Sequence, residues 1–269
     1  MTSDPLVVSG HAEVRAVLAD PRFTVDPVPR PPFALNVAWL RGAVGRFAEG
    51  STHAERRAAG EAVLAGLDPD TLRTEAFRLA SQDAGPLPCP PELVPVLVLA
   101  VALGVPAQDG PRAVEAVTAL APAYLPGREE VDPEAADEGL ARLARLLGDP
   151  APARLAVLAG LLAQACGPTA GLVRGALATA SQTVEQTAEQ TVEQTVEELL
   201  DETLRRDPPV RTLRRRAPGD GRAVVLDIAA ANRDPRALSH LTFGAGPRAC
   251  PGRQVALALA AGTVEAVAR

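Results

Sequence analysis

The residues best suited to chemistry lie in one short run, FGAGPRACPG, from Phe243 to Gly252. It sets Cys250 among three glycines, two prolines and an arginine. Gly244 and Gly246 admit tight or positive-φ backbone. Pro247 and Pro251 restrict the chain on either side of the thiol. Gly252 permits close approach of another backbone or of a flat ligand. The stretch that follows, RQVALALAAGTVEAVAR, reads as a helix, and its free N–H groups and positive dipole end are expected to favour thiolate over thiol at Cys250. A rigidly held thiolate suits a soft or borderline metal. With one cysteine and no neighbouring histidine, a multi-ligand protein site is not indicated. A haem needs only one axial protein ligand, and cysteine thiolate is one of the known choices.

The rest of the chain must be able to position such a loop. Its 269 residues suggest one large domain or two small ones, and with no clean linker they read as a single compact domain, 1–269. The apolar residues, 47% of the chain, are mostly Ala, Leu and Val, and aromatics are only 3%. That balance favours close-packed helices. The net charge of −6 argues against a bulk nucleic-acid binder, and every basic side chain other than histidine is arginine. The longest apolar run, Leu93 to Pro106, is too short to span a bilayer, and the start of the chain lacks a secretory pattern. A soluble, cytoplasmic protein without a membrane partner is expected. Cysteines 89, 166 and 250 form no C-x-x-C pair, so neither a disulfide framework nor a structural zinc site is suggested.

Helices are expected over His11–Phe23 (stopped by Asp20-Pro21), in VAWLRGAVGRF and in HAERRAAGEAVLAGL around a turn at Gly50-Ser51. They return in PELVPVLVLAVALG, as two or three short pieces between Gly110 and Leu147, over Ala151–Ala180, over Glu197–Arg206, and from Arg253 to the end. Asp83–Pro91 reads as a loop. The four-residue repeat from Thr183 to Glu198, TVEQTAEQTVEQTVEE, reads as a half-solvated helix. RAVVLDIAAANRDP supplies one strand and a turn.

The cysteine run fits the signature F-x-x-G-x-R-x-C-x-G at Phe243, Gly246, Arg248, Cys250 and Gly252, and on that basis the chain resembles the cytochrome P-450 superfamily of haem-thiolate proteins. Other stretches follow in that family's order. ETLR, Glu202 to Arg205, resembles the E-x-x-R pair that braces the cysteine loop, and DPPVRTLRR follows it. HAERR resembles a histidine–arginine pair, His53 and Arg57, that contacts a haem propionate. VRAVLADPRF, LVLAVALGVP and AANRDP resemble stretches of actinobacterial members. The resemblance implies a mostly α, trimmed cytochrome P-450 fold: a helical bundle around haem b with a small residual β-sheet. It makes Cys250 the axial ligand, packs Phe243 near its sulfur, and gives Arg248 and Arg214 as further propionate partners. It implies a monooxygenase acting on a small natural-product or secondary-metabolite intermediate, with ferredoxin and ferredoxin reductase as electron donors. Arg211, Arg215 and Arg216, in the same basic run, would form the ferredoxin patch.

Two departures bear on the reaction. The chain is short for the family, with a compressed middle and RALSH in place of a longer meander. Oxygen-activating members carry an acid beside a threonine, A-G-x-[DE]-T, over the haem to relay protons. The matching stretch here is ACGPT: Thr169 remains as the catalytic candidate, while Pro168 stands where the acid would be. Cys166 reads as a buried core residue or a neighbour of the distal face. Monooxygenation, other haem-thiolate chemistry (peroxide-driven oxidation, dehydration, isomerisation or cyclisation) and a degenerate haem-binding partner protein are the three functions this sequence supports.

Overall fold

The computed structural model describes residues 4–81, 87–125, 131–186 and 195–268. Among them are eleven α-helices and three strands. Helix α1 (His11–Ala19) buries Val14 and Leu18 and stops at Asp20, as the sequence predicts. Helix α2 (Val37–Ala43) starts at Asn36, whose side chain accepts from the Trp39 N–H. A 3-10 turn (Gly45–Phe47) leads into α3 (Gly50–Ala65), so the expected turn at Gly50-Ser51 is the helix start itself. Helix α4 (Pro69–Ala80) has no counterpart in the sequence reading, although its signal is there: Asp68 caps the Thr71 N–H and Pro69 opens the first turn.

Helix α5 (Val94–Ala102) is apolar all round and accordingly buried. Between Gly110 and Leu147 there are two helices, α6 (Gly110–Tyr124) and α7 (Pro133–Leu146); Pro122 lies inside α6 without ending it. Helix α8 runs unbroken from Pro152 to Gln186 through Pro168. It is long and apolar enough over Pro152–Ser181 to cross a bilayer, yet 61% of its apolar window is buried within the fold. Most of the expected repeat helix lies outside the described residues. Its end survives as α9 (Val196–Arg206), opened by a Thr195–Glu198 capping box. Helix α11 (Arg253–Val267) packs so closely on α4 that a Cβ at Gly262 would stand 2.1 Å from the Arg73 carbonyl oxygen.

The sheet has the order β1-β3-β2. Strand β1 (Leu6–Val8) lies parallel to β3 (Ala223–Asp227), with Leu6 opposite Val224 and Val8 opposite Leu226. Strand β2 (Thr212–Arg216) runs antiparallel to β3, with Leu213 opposite Leu226 and Arg215 opposite Val224. The sequence gives one strand here; β2 escapes notice because an arginine-rich strand lacks apolar alternation. Helix α10 (Ile228–Asn232) follows β3 directly. Val14, Leu18, Val224, Leu226, Ile228 and Leu241 form a small core between the sheet and α1, separate from the large helical core.

Candidate functional site

The cysteine loop begins where the small core ends. Gly244 (φ +71°) and Gly246 (φ +65°) adopt the left-handed conformation that their sequence positions suggest. The Cys250 N–H donates to the Phe243 carbonyl at 2.8 Å and the Gly244 N–H to the Leu241 carbonyl at 2.8 Å, closing the chain into a tight hoop. Gly246 lies against α1, where a Cβ would meet the Ala19 Cα at 2.6 Å. Gly252 is the residue at the start of α11, and its backbone N–H acts to lower the Cys250 thiol.

Burial among protein atoms pushes the Cys250 thiol up, against the Gly252 N–H and the charges of Arg57 and Arg46, which pull it down. The expected net preference for thiolate is therefore not met by the protein alone: loss of hydration outweighs the helix-end N–H. Cys250 nevertheless has an exposed surface. Arg46 has the same character: its surface is exposed, and burial is the largest influence on its guanidinium, pushing it down.

A cluster of cations lies around Cys250. Arg248 donates to the Ala48 carbonyl at 2.7 Å and pairs with Glu49 at 2.7 Å. Arg57 pairs with Glu61 at 2.8 Å, one helical turn along α3. His53, one turn before Arg57, is held below its ordinary range by burial and by the charges of Arg248 and Arg57. Arg215 is pushed down to about 10 by burial and by the neighbouring charges of Arg248 and Arg46. Thus His53, Arg57 and Arg248 come together as the sequence predicts, but Arg214 does not join them. Strand parity decides this: Leu213 and Arg215 face the buried Val224 and Leu226, whereas Arg214 points outward and is exposed. Arg215 and Arg46 are the cluster members that the sequence reading missed. Of the expected ferredoxin patch, Arg211 pairs with Asp207, Arg216 pairs with Asp26 and Arg215 turns inward, so much of that charge is already compensated.

The brace under the loop also differs from expectation. Arg205 pairs with Asp201 at 2.6 Å and Glu202 pairs with Arg206 at 2.7 Å, so each charge takes an i,i+4 partner in place of the expected Glu202–Arg205 pair. Arg205 also donates to the carbonyls of Ala237 and Leu238, at 3.3 and 3.1 Å, and so holds the shortened meander. The central brace is Asn232, 2% exposed. Its amide donates to the Leu204 carbonyl and to the Thr242 hydroxyl, both at 2.8 Å, and accepts the Leu241 N–H at 2.7 Å. One side chain thereby ties the end of α9 to the start of the cysteine loop.

Phe243 touches Cys250 through its carbonyl, while its ring lies under the Arg253 guanidinium and beside the His240 ring. His240 is buried, and its Nδ1 has no hydrogen-bond partner. Burial, then the charge of Arg253, pushes it down from 6.5 to about 4. A histidine depressed in the folded state leaves stability intact above the unfolded value and withdraws it as pH falls from about 6.5 toward about 4. Denaturant titrations should show a loss of about 2 kcal/mol between pH 7 and pH 5 from this group alone. His240→Leu should remove that component of the slope; an unchanged slope would contradict the assignment.

Opposite faces of α8 treat ACGPT differently. Gly160, Gly167 and Gly171 share one face at 3.6 residues per turn. A Cβ would meet Val44 Cγ1 at 2.8 Å at Gly160 and Pro209 Cβ at 2.8 Å at Gly171, but nothing within 4 Å at Gly167. The face is thus sealed at both ends and open in the middle. Thr169 lies about 200° round the helix from Gly167 and is 4% exposed, so it does not share the open face. Cys166 is a core residue beside Thr118 of α6, and burial pushes its thiol up. Pro168 has no N–H, which leaves the Gln164 carbonyl without its helical donor.

No protein-family model matches the sequence, and no curated protein matches it either. Solved structures do. P450BioI, in complex with an acyl carrier protein ligated to hexadec-9Z-enoic acid, is 20% identical, covers 97% of this chain and 83% of its own, and has a TM-score of 0.73. P450 RauA, complexed with a biosynthetic intermediate of aurachin RE, is 19% identical over 97% and 83% of the two chains, with a TM-score of 0.71. The thermophilic cytochrome P450 from Sulfolobus tokodaii is 17% identical over 100% and 88%, with a TM-score of 0.69. The chain has the mostly helical cytochrome P450 fold with a small sheet, as its motifs implied.

Proposed function

We propose that residues 1–269 form a single haem domain, and that this is a haem-thiolate oxidoreductase of the cytochrome P450 type acting on a small natural-product intermediate. The observation that carries this reading is Cys250, held in a hoop with two left-handed glycines, exposed, and with the charges of Arg57 and Arg46 acting on it. The residues fit haem b. Cys250 would hold the iron, with the Gly252 N–H favouring its thiolate. Arg248, Arg215, His53 and Arg57 would receive the propionates, which supply the negative charge that the cluster lacks. Haem iron with a thiolate ligand supplies redox chemistry toward dioxygen or peroxide. The protein's own contribution is to hold the sulfur and compensate the propionates.

Monooxygenation with electrons from ferredoxin and ferredoxin reductase is the leading reaction. Pro168 and the position of Thr169 favour a second one. With no acid in that place and Thr169 on the buried face of α8, protons must come from water, from the substrate or from groups at the freed Gln164 carbonyl. Chemistry that needs no such relay, such as dehydration, isomerisation, cyclisation or peroxide-driven oxidation, suits this arrangement. Substrate turnover without any reductase separates the two. P450 RauA is bound to a biosynthetic intermediate, which supports a substrate of that class here.

The test is the absorption spectrum of the purified, haem-supplemented protein, reduced and exposed to carbon monoxide. A red-shifted Soret band that is lost in Cys250→Ala is the expected result. A protein that stays haem-free after reconstitution overturns the reading.

A further inference from the structure

Glu49, the residue that opens α3, is tied at both carboxylate oxygens. Its Oε1 accepts the Val25 N–H at 2.5 Å, and its Oε2 stands 2.7 Å from Arg248 Nη2. The first tie fixes it to an ordered part of the fold. Next to Val25, Thr24 exchanges two backbone hydrogen bonds with Arg216 of β2, at 3.1 and 2.8 Å, and three residues on, the Val28 N–H donates to the Phe47 carbonyl at 3.0 Å. Residues 24–28 thereby bind Glu49 to the strand that carries Arg215. The Glu49 carbonyl also accepts the His53 N–H at 3.2 Å, at the start of the helix that carries His53 and Arg57.

The second tie acts on Arg248. Its guanidinium meets the Ala48 carbonyl and the Glu49 carboxylate through the same nitrogen, Nη2, each at 2.7 Å. Two acceptors at one nitrogen restrain a planar group with several other donors. Nε and Nη1 make no hydrogen bond among the described residues, so one edge of the guanidinium is held while the rest keeps its donors for a further acceptor. The Arg248 side chain is only 15% exposed, which screens this pair less than a surface one.

Glu49 is more than a stand-in for an absent anion. A stand-in has one task, to neutralise Arg248, and its other oxygen is idle. Here Oε1 is bonded to backbone, so the carboxylate is built into the fold. Its charge also reaches Arg215 and His53, where it opposes the burial that lowers both.

We infer that Glu49 is a positioning residue for the propionate arginine: it holds Arg248 by Nη2, so that Nε and Nη1 are left to donate to a haem propionate. The inference deepens the proposed function and rests on that reading for the haem. A guanidinium already held in place loses less rotamer freedom when its ligand arrives, and so binds it better.

The test is the rate at which excess apomyoglobin strips haem, and separately haem dimethyl ester, from the wild-type protein, Glu49→Gln, Arg248→Gln and the double variant. Glutamine keeps an oxygen for the Val25 N–H and turns an amide toward Arg248, so it breaks the second tie alone. Native haem should leave Glu49→Gln about fivefold faster than wild type. The dimethyl ester has no propionate charge and should leave both at the same rate, whereas a merely structural loss would speed both ligands. In the Arg248→Gln background, Glu49→Gln should add nothing. Equal haem rates, equal acceleration of haem and ester, or slower haem release (a carboxylate that competes with the propionate) would overturn the inference. A crystal structure of the haem-loaded wild-type protein, which does not depend on how the variants fold, should keep Glu49 against Arg248; a Glu49 that has let go would overturn it as well. A wild-type protein that acquires no Soret band rejects the haem reading and the inference with it, while each of the other failures leaves the haem reading standing.

Discussion

Asn232→Ala should destabilise the protein by about 3–4 kcal/mol, read as a lowered denaturant midpoint, and should release haem at the same time. The substitution strands the buried Leu241 N–H, removes a donor from Thr242 and the Leu204 carbonyl, and opens a small void. An unsatisfied buried N–H accounts for about 1–3 kcal/mol, and the rest comes from the lost bonds and packing. Thr242→Val is the milder companion, since Asn232 can still hold both Leu204 and Leu241. A loss below about 1 kcal/mol for Asn232→Ala would mean that the loop is braced elsewhere, with Arg205 as the alternative.

Gly246→Ala should be of similar size, about 3 kcal/mol. Two causes combine there. The left-handed backbone disfavours any Cβ by about 1–2 kcal/mol. That Cβ would also stand 2.6 Å from the Ala19 Cα and 2.8 Å from the Leu18 carbonyl oxygen, and α1 would have to move away. Gly221 provides the control, because it has φ +66° but nothing within 4 Å. Gly221→Ala should therefore lose only the backbone component, about 1 kcal/mol. Equal losses in the two variants would show that contact with α1 contributes nothing.

Much of the fold and half of the site are legible in the sequence, and the rest is hidden for identifiable reasons. The cysteine hoop is readable because glycines at 244 and 246 have one physical use there, and the structure gives both positive φ. His53 and Arg57 are readable because one helical turn puts them on one face. Arg214 is misread for Arg215 because a strand's inward face depends on its register, and a slip of one residue exchanges the faces. The Glu202–Arg205 pair is misread because i,i+3 and i,i+4 partners compete within one short helix, and Asp201 and Arg206 take the closer pairing. Asn232 lies in AANRDP, where nothing in the spacing shows that its amide ties Leu204 to Leu241; only the three-dimensional arrangement does. Helix α4 is polar enough to pass for connecting chain, yet its Asp68-Pro69 start is a visible signal.

The parallel pairing of residues 6–8 with residues 224–226 also imposes an order in time. Strand β1 has no partner until the chain has been synthesised past Leu226, after the sequences of helices α1 to α9. Contacts between such distant segments carry the largest loop-closure entropy and form late. The wall that α1 offers to Gly246 depends on the same return of the first residues to the last third of the chain. The helical layer has its own long-range closure, α11 on α4, while the cysteine hoop acquires its backing only when residues 6–19 meet residues 224–246. On the proposed reading, haem uptake is expected to wait for that long-range contact.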